Sequence, residues 1–150
     1  MSAVVTAGAG FLLAVLWLDL MFDVQVLGNG ERELPDQTLA SIAGYYRRVT
    51  TAARPMNRLV ALAMLATLTA IIIEIARSDR PTWAPWASLI FAVPPIVLAG
   101  VRTVPSAVRL GTRAESSERQ SVRARSIYRD HVFCALAITA LLAVQLAFIA

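Results

Sequence analysis

Two carboxylates and one histidine are the residues of this 150-residue chain best suited to chemistry. Asp19 and Asp23 lie four positions apart in a long apolar run, so a helix would place both on one face. His131 opens another apolar run near the end of the chain. A histidine beside carboxylates titrates near neutral pH, which suits proton transfer or the orientation of a substrate. We therefore take Asp19, Asp23 and His131 as candidate catalytic residues.

Two further polar residues are expected at the same depth. Arg58 enters the second apolar run, and Tyr128 precedes His131 by three positions. Ionisable groups inside a bilayer are costly, roughly 2.5–3.5 kcal/mol each at mid-span, so the set predicts a polar site in which Arg58 and Tyr128 bind substrate. In the alternative, Asp23, Arg58 and His131 are simply solvated or paired among lipid headgroups. Asp19, about one turn deeper, is the hardest residue to explain in that way.

A pair of prolines predicts a second feature of the site. Neither Pro94 nor Pro95 has an amide hydrogen, so the carbonyls of Ile90 and Phe91 lose their helical partners. At mid-span those carbonyls need another donor, a water or a ligand. The sequence leaves two readings open, a simple kink or a broken helix that lines a cavity with Ile90 and Phe91 as substrate contacts.

The elements that position these residues are predicted to be membrane spans. The chain is 57% hydrophobic and 16% charged, against roughly a quarter charged in soluble domains, which excludes a disordered chain and most soluble enzymes. A bilayer core of about 30 Å needs roughly 20 apolar helical residues. Four runs meet or approach that length, at residues 4–27, 56–76, 85–101 and 129–149. The predicted fold is a single all-α domain over residues 1–150, an integral membrane four-helix bundle with loops at 28–55 and 102–128.

The arginines predict the orientation of the spans. The chain has no lysine, and twelve of its 14 arginines lie in or beside the two long loops, whereas only Arg77 and Arg80 lie on the opposite side. Cytoplasmic loops carry an excess of arginine, so both termini are expected outside the cell. The first run is too long for a signal-peptide core and is expected to stay as a span. The arginine- and alanine-rich composition suggests a GC-rich genome and a prokaryotic plasma membrane.

An amphipathic helix is predicted in the first loop. Asp36 or Thr38 could cap its start, and Pro55 would end it or open the next span. We expect this helix to lie at the cytoplasmic interface, with Arg47 and Arg48 toward anionic lipid headgroups, as expected also for the 102–128 loop. The fourth span could extend into the cytoplasm, because no proline or glycine follows residue 114. The apolar positions of the interfacial helix recur at helical spacing: Leu39, Ile42, Ala43, Tyr46 and Val49.

Small residues form a stripe on the first span, opposite the two aspartates. Such stripes usually mark close packing between helices in a membrane. Two arrangements stay open: the small face contacts a neighbouring helix while the aspartates meet another partner, or the aspartates point into the bundle. The residues of this stripe are Ala3, Ala7, Gly10 and Ala14.

Several other chemistries are excluded or not expected. The single cysteine, Cys134, excludes an intrachain disulfide or thiol relay, and the single histidine excludes bis-histidine haem ligation within a monomer. Asp130, His131 and Cys134 could offer metal ligands, but no remote partner completes a set, so we expect no metal and no cofactor. The basic loops lack the aromatic interleaving typical of nucleic-acid binding, and no such partner is expected.

Short motifs follow one another along most of the chain. Gly10-Phe11 lies in the first span, Val104-Pro105 follows the third, and Arg129-Asp130-His131 opens the fourth. In this order they resemble a family of small four-span membrane proteins that includes the anthrone oxygenases. The resemblance implies cofactor-independent oxidation of an aromatic substrate, with His131 as the base. It also includes the first loop, with its motifs Leu34-Pro35-Asp36 and Tyr45-Tyr46-Arg47.

Three function classes follow. The first is a membrane protein with a small-molecule site, of the oxygenase kind or another, around Asp19, Asp23 and His131. The second is a proton- or ion-coupled carrier that works as an oligomer, because four spans enclose little volume. The third is an accessory subunit that uses its small-residue stripe to dock on a larger membrane complex.

Overall fold

The computed structural model describes residues 2–28, 32–77 and 83–149, and the regular structure in those ranges is helical throughout. A 3₁₀ turn follows the first helix at Val24–Leu27, and π-helical turns occupy Arg48–Ala52 and Ala99–Thr103. Arg80, on which part of the arginine count rests, lies outside the described residues. The α-helices are α1 (Ser2–Asp23), α2 (Asp36–Arg47), α3 (Arg54–Arg77), α4 (Trp83–Leu98), α5 (Val104–Thr112) and α6 (Ser117–Ile149).

The prediction of an all-helical chain with four long apolar helices is confirmed. By length and composition, four helical segments could cross a membrane: Ala3–Leu27, Pro55–Arg77, Trp83–Thr112 and Ser117–Ala147. Pro94 and Pro95 lie inside α4, which continues through both, so the helix is not broken there. The third segment continues through the π-helical turn into α5, and α6 begins at Ser117. Most of the expected loop at 102–128 is therefore helical.

The four long helices pack into a bundle in which α1 contacts α3 and α6, and α4 contacts the same two helices. Small and branched apolar side chains fill its interior, which lets the helices approach closely. Large apolar side chains such as Trp17, Leu62 and Leu136 instead point outward and are more than 60% exposed. An apolar exterior of this kind is typical of a protein surrounded by lipid. The buried core consists of Val5, Ala9, Leu12, Ala70, Ile71, Ala92, Ile138 and Leu141.

A second apolar core lies in a cap, which we define as α2, α5 and the part of α6 from Ser117 to Tyr128. α2 packs mainly on α5, where a Cβ on Gly111 would lie 3.0 Å from the backbone nitrogen of Arg47, a tight contact that glycine avoids. Asp36 forms an ion pair with Arg113. The position before α2 is occupied by Pro35, so neither Asp36 nor Thr38 supplies the expected side-chain cap. The cap core includes Leu39, Ile42, Ala43, Tyr46, Leu110 and Ile127.

Of the two arrangements considered for the small stripe on α1, the structure has the one in which the aspartates point into the bundle. Ala3, Ala7 and Ala14 are exposed, and Asp23 is fully buried, so it is the aspartate side that faces the bundle. The small residues of α1 that face the bundle are Gly8 and the fully buried Ala9, and both lie outside the stripe. A Cβ built on Gly8 would overlap the hydroxyl oxygen of Thr67 on α3.

This contact gives a testable difference between two glycines on one helix. Gly8→Ala is expected to lower the free energy of unfolding by about 1–3 kcal/mol, because the added methyl group has no space against Thr67. A methyl group on Gly10 would have nothing within 4 Å. Gly10→Ala should therefore raise that free energy by up to about 1 kcal/mol through helix propensity. Denaturant titration of both variants in detergent measures the difference, and equal effects would contradict the close packing of α1 on α3.

Candidate functional site

A buried histidine–aspartate contact joins the last residue of α1 to the middle of α6, where the bundle meets the cap. Asp23, at the last position of α1, has no exposed surface, and His131 on α6 is 7% exposed. His131 Nδ1 lies 2.6 Å from Asp23 Oδ2. The hydroxyl of Tyr46, on α2, donates a hydrogen bond of 2.6 Å to Asp23 Oδ1. One carboxylate therefore binds side chains from two other helices.

These contacts determine where the imidazole hydrogen lies. An ionised carboxylate can only accept, so Nδ1 must carry the hydrogen in its contact with Asp23. Tyr46 also donates to Asp23, and its 3.4 Å separation from Nδ1 is a close approach between two donors. In the neutral imidazole this arrangement leaves the lone pair on Nε2. His131 is thereby oriented as a base, in the way a carboxylate orients a catalytic histidine.

Asp19 lies near the other nitrogen of the imidazole. Its Oδ2 is 3.8 Å from His131 Nε2, which is longer than a hydrogen bond. Its Oδ1 accepts a hydrogen bond of 2.7 Å from the hydroxyl of Tyr45, and the ring of Tyr45 stacks on Phe22 at 4.0 Å. The two carboxylates thus flank the imidazole, one near each nitrogen. A positive charge formed when Nε2 takes a proton would be stabilised by both.

Two cavities border Asp19 and His131. The smaller has a volume of about 110 Å³ and is lined mainly by apolar side chains of the bundle, together with Thr103 and Cys134. The larger, of about 370 Å³, lies between α1, α2, α3 and the start of α5, and both tyrosines line it. Large, mostly apolar cavities with a few convergent polar groups are typical of small-molecule sites.

A third acid lies one residue from the histidine and connects the cavities to the surface. Thr103 lines both cavities, and its hydroxyl donates to Asp130 Oδ2 at 3.3 Å. Asp130 is 6% exposed, and its Oδ2 lies 3.4 Å from Nε of Arg102. The guanidinium of Arg102 is exposed. A continuous series of polar groups therefore leads from the cavities to the surface of the protein.

The structure brings three of the sequence-predicted site residues together and leaves four apart. Asp19, Asp23 and His131 form the cluster. Arg58 is exposed on α3, and Tyr128 packs against the cap core. Ile90 is 66% exposed on the outer face of α4, and Phe91 packs in the bundle core. None of these four lines either cavity, so their role as substrate contacts stays a prediction without geometric support.

Tyr45 and Tyr46 are the site residues that sequence reasoning missed. The helical pattern identifies Tyr46 only as an apolar position of the amphipathic helix. The available signal was the adjacency of the two tyrosines: neighbouring positions on a helix point about 100° apart. The two side chains can therefore reach α1 at different places, Tyr46 from within the cap core and Tyr45 from its margin. The two hydroxyls could also have been matched to Asp19 and Asp23, a second pair of polar residues that lie close together in the sequence.

Both tyrosines are held in their un-ionised form. Burial raises the pKa of Tyr46, and Asp23 and Asp19 raise it further; burial and then Asp19 raise the pKa of Tyr45 in the same way. Because the pKa of each phenol is higher in the folded state than in the unfolded state, the two phenols stabilise the fold below the unfolded-state pKa of about 10. This stabilisation is lost as the pH rises above that pKa. We expect both phenols to stay protonated at pH 10 while the chain is folded.

Ultraviolet absorbance of tyrosinate during an alkaline titration tests this expectation. In the wild type, the absorbance of two tyrosines should appear only when the helices unfold. In the double variant Tyr45→Phe, Tyr46→Phe that delayed component should be absent. Ionisation of Tyr45 or Tyr46 at pH 10 in a chain that still shows its helical circular dichroism would contradict the hydrogen bonds to the aspartates.

Metal ligation is not supported in the region of Asp130, His131 and Cys134. Among residues 2–28, 32–77 and 83–149, no group of three or more His, Cys, Asp or Glu side chains is arranged to hold a metal ion. The thiol of Cys134 instead lies 3.8 Å from the carbonyl oxygen of Pro95. We assign no metal ligands in this region.

Comparison of the whole chain with known proteins gives no relative from which a role for the cluster could be transferred. No family model, no curated protein and no solved structure matches it.

Proposed function

We propose that the chain is a multi-pass membrane protein that binds an apolar, weakly acidic small molecule and removes a proton from it, with His131 as the base. The observation that carries the proposal is the short contact between His131 Nδ1 and Asp23, which leaves Nε2 as the acceptor. Asp19 would stabilise the imidazolium or bind a polar group of the substrate. An apolar cavity suits a substrate that reaches the site from the lipid.

The proposed setting is a prokaryotic plasma membrane, with both termini outside and the cap in the cytoplasm. The arginine asymmetry supports this orientation, because helix α2 of the cap lies between the last residue of α1 and the first residue of α3, on the arginine-rich side. α2 would then lie near the headgroups, where Arg47 and Arg48 are exposed. The resemblance to the anthrone oxygenase family extends the proposal to oxidation of the deprotonated substrate by molecular oxygen without a cofactor.

Hydrogen exchange into an enolisable ketone tests the proton-abstraction step by itself. The full chain in lipid nanodiscs is incubated in D₂O with 2-tetralone, and deuterium incorporation beside the carbonyl is followed by mass spectrometry. We expect incorporation faster than in empty nanodiscs. His131→Gln should lower the protein-dependent rate by about 10²–10⁴-fold, the usual contribution of a general base.

Arg109→Gln is the matched control, because Arg109 is exposed on α5 and lines neither cavity. Its exchange rate should equal that of the wild type. The proposal is contradicted if the wild type exchanges no faster than empty nanodiscs, or if His131→Gln and the wild type exchange at the same rate. Circular dichroism and gel filtration of each variant establish that it is folded.

A proton-coupled carrier is the second candidate. The polar series from Thr103 through Asp130 to the exposed Arg102 favours it, because such a series could carry a proton between the cavity and water. A carrier predicts proton flux into proteoliposomes along a substrate gradient, and Asp19→Asn should abolish that flux without loss of folded protein. Enzyme and carrier differ here, since an enzyme converts its substrate without moving it across the membrane.

An accessory role is favoured by one observation only. The outward face of α1 carries the small residues Ala3, Ala7 and Ala14, and such faces allow close contact with another helix. The partner would be a second copy of the chain or a larger membrane complex. This role predicts that Ala7→Leu releases the chain from an assembly seen on native gels while leaving deuterium exchange unchanged.

A further inference from the structure

We propose that a basic groove between α5 and α6 binds the phosphate of an anionic membrane phospholipid. The groove is open, has a volume of about 540 Å³, and shares no lining residue with the two cavities that His131 lines. The inference is separate from the chemistry of His131. The residues that line the groove are Arg102, Ser106, Glu118, Arg119, Val122, Arg123 and Ser126.

The charges of the groove are positive after its internal ion pairs are counted. Arg102 is paired with Asp130, and Arg123 binds Glu115 through two bonds of 2.8 and 2.6 Å. Glu118, the acidic residue of the groove, is paired with Arg32 at 2.6 Å. Arg119 is exposed and forms no direct salt bridge among the described residues; the carboxylate it interacts with at longer range, Glu115, is bound by Arg123. The guanidinium of Arg119 is therefore left without a hydrogen-bonded carboxylate within those residues.

Two serines supply hydrogen-bond donors beside these guanidinium groups. Ser126 Oγ accepts a hydrogen bond of 2.6 Å from Arg102, and Ser106 Oγ accepts one of 3.5 Å from Arg123. Because each oxygen already accepts from an arginine, each hydroxyl hydrogen can be donated to a group in the groove. Guanidinium groups and hydroxyls that converge in one groove fit the oxygens of a phosphate, which accept several bonds at once.

The surroundings of the groove favour a lipid as the source of that phosphate. Arg102 follows closely on the apolar helix α4, so the groove begins where the predicted third span ends. On α6 the exposed residue Val122 is followed by Phe133 and Leu136, which are 47% and 67% exposed and lie on the same helical face. An acyl chain could extend along this face into the membrane while its headgroup occupies the groove.

Native mass spectrometry of the full chain in a nonionic detergent tests the inference. Dioleoyl-phosphatidylglycerol is the probe, and dioleoyl-phosphatidylcholine, which has the same acyl chains and no net charge, is the reference. We expect retention of the anionic lipid in preference to the zwitterionic one. Arg119→Gln should weaken retention by about tenfold, the usual effect of losing a charge-assisted hydrogen bond. Ser126→Ala should also weaken it, and this loss cannot arise from a change of charge.

Arg77→Gln is the matched control, because it removes one exposed arginine from the end of α3, outside the groove. Its lipid retention should equal that of the wild type. Equal weakening by Arg77→Gln and Arg119→Gln would show that only the total charge matters, and the groove would be rejected as a site. Displacement of the lipid by millimolar inorganic phosphate would identify the ligand as a free anion and overturn the assignment to a lipid.

Discussion

Asp23→Ala is expected to lower the free energy of unfolding by about 3–5 kcal/mol, among the largest effects of any single substitution in the chain. Asp23 is fully buried and binds both His131 and Tyr46. Its removal would leave an imidazole and a phenol buried without their acceptor, and buried polar groups that lose a partner are strongly destabilising. Denaturant titration in detergent, followed by circular dichroism, measures the loss.

Asp36→Ala is the matched control for Asp23→Ala. Asp36 also forms an ion pair, with Arg113, but its side chain is 81% exposed. Exposed ion pairs contribute about 0–1 kcal/mol, so this variant should unfold almost as the wild type does. If the two aspartate variants unfolded at the same denaturant concentration, Asp23 could not be the buried partner of His131.

Tyr46→Ala is expected to cost about 3–5 kcal/mol, because it removes a large side chain that is only 2% exposed. Tyr46 belongs to the cap core and also donates to Asp23. The variant would therefore leave a void beneath α2 and take one donor from the buried carboxylate. The same denaturant titration measures this loss.

Tyr46→Phe separates the two contributions of that side chain. It keeps the ring and removes only the hydroxyl, so it should cost about 1–3 kcal/mol, the effect of leaving Asp23 Oδ1 without its donor. A Tyr46→Phe variant as unstable as Tyr46→Ala would assign the whole effect to the hydrogen bond. A Tyr46→Phe variant as stable as the wild type would show that the contact with Asp23 contributes nothing.

The sequence predicted the long helices and part of the cluster because those features depend on local patterns. Apolar runs of about 20 residues predict membrane-spanning helices from the properties of the bilayer alone. The four-residue spacing of Asp19 and Asp23 places them on one face whatever the neighbours are. His131 could be added to the predicted cluster because it begins an apolar run at the same predicted depth as the two aspartates.

The depth of a residue along its helix was insufficient to predict whether the other candidate residues face the site. Arg58 lies at a similar level, but α3 is rotated so that this side chain is exposed. Pro94 and Pro95 lie within a helix that continues past them, and Ile90 points outward. Rotation of a helix about its axis depends on packing partners that are distant in sequence. The position of α2, and with it the two tyrosines, depends in the same way on α5 and α6.

The length of α6 has a consequence for how the molecule unfolds. At 1.5 Å per residue its 33 residues extend about 50 Å, whereas a bilayer core is about 30 Å thick. Ile127 belongs to the cap core and Ile138 to the bundle core, so one uninterrupted rod carries side chains of both. Cap and bundle should therefore lose their structure in a single cooperative transition, with the tyrosine hydrogen bonds and the four long apolar helices melting together.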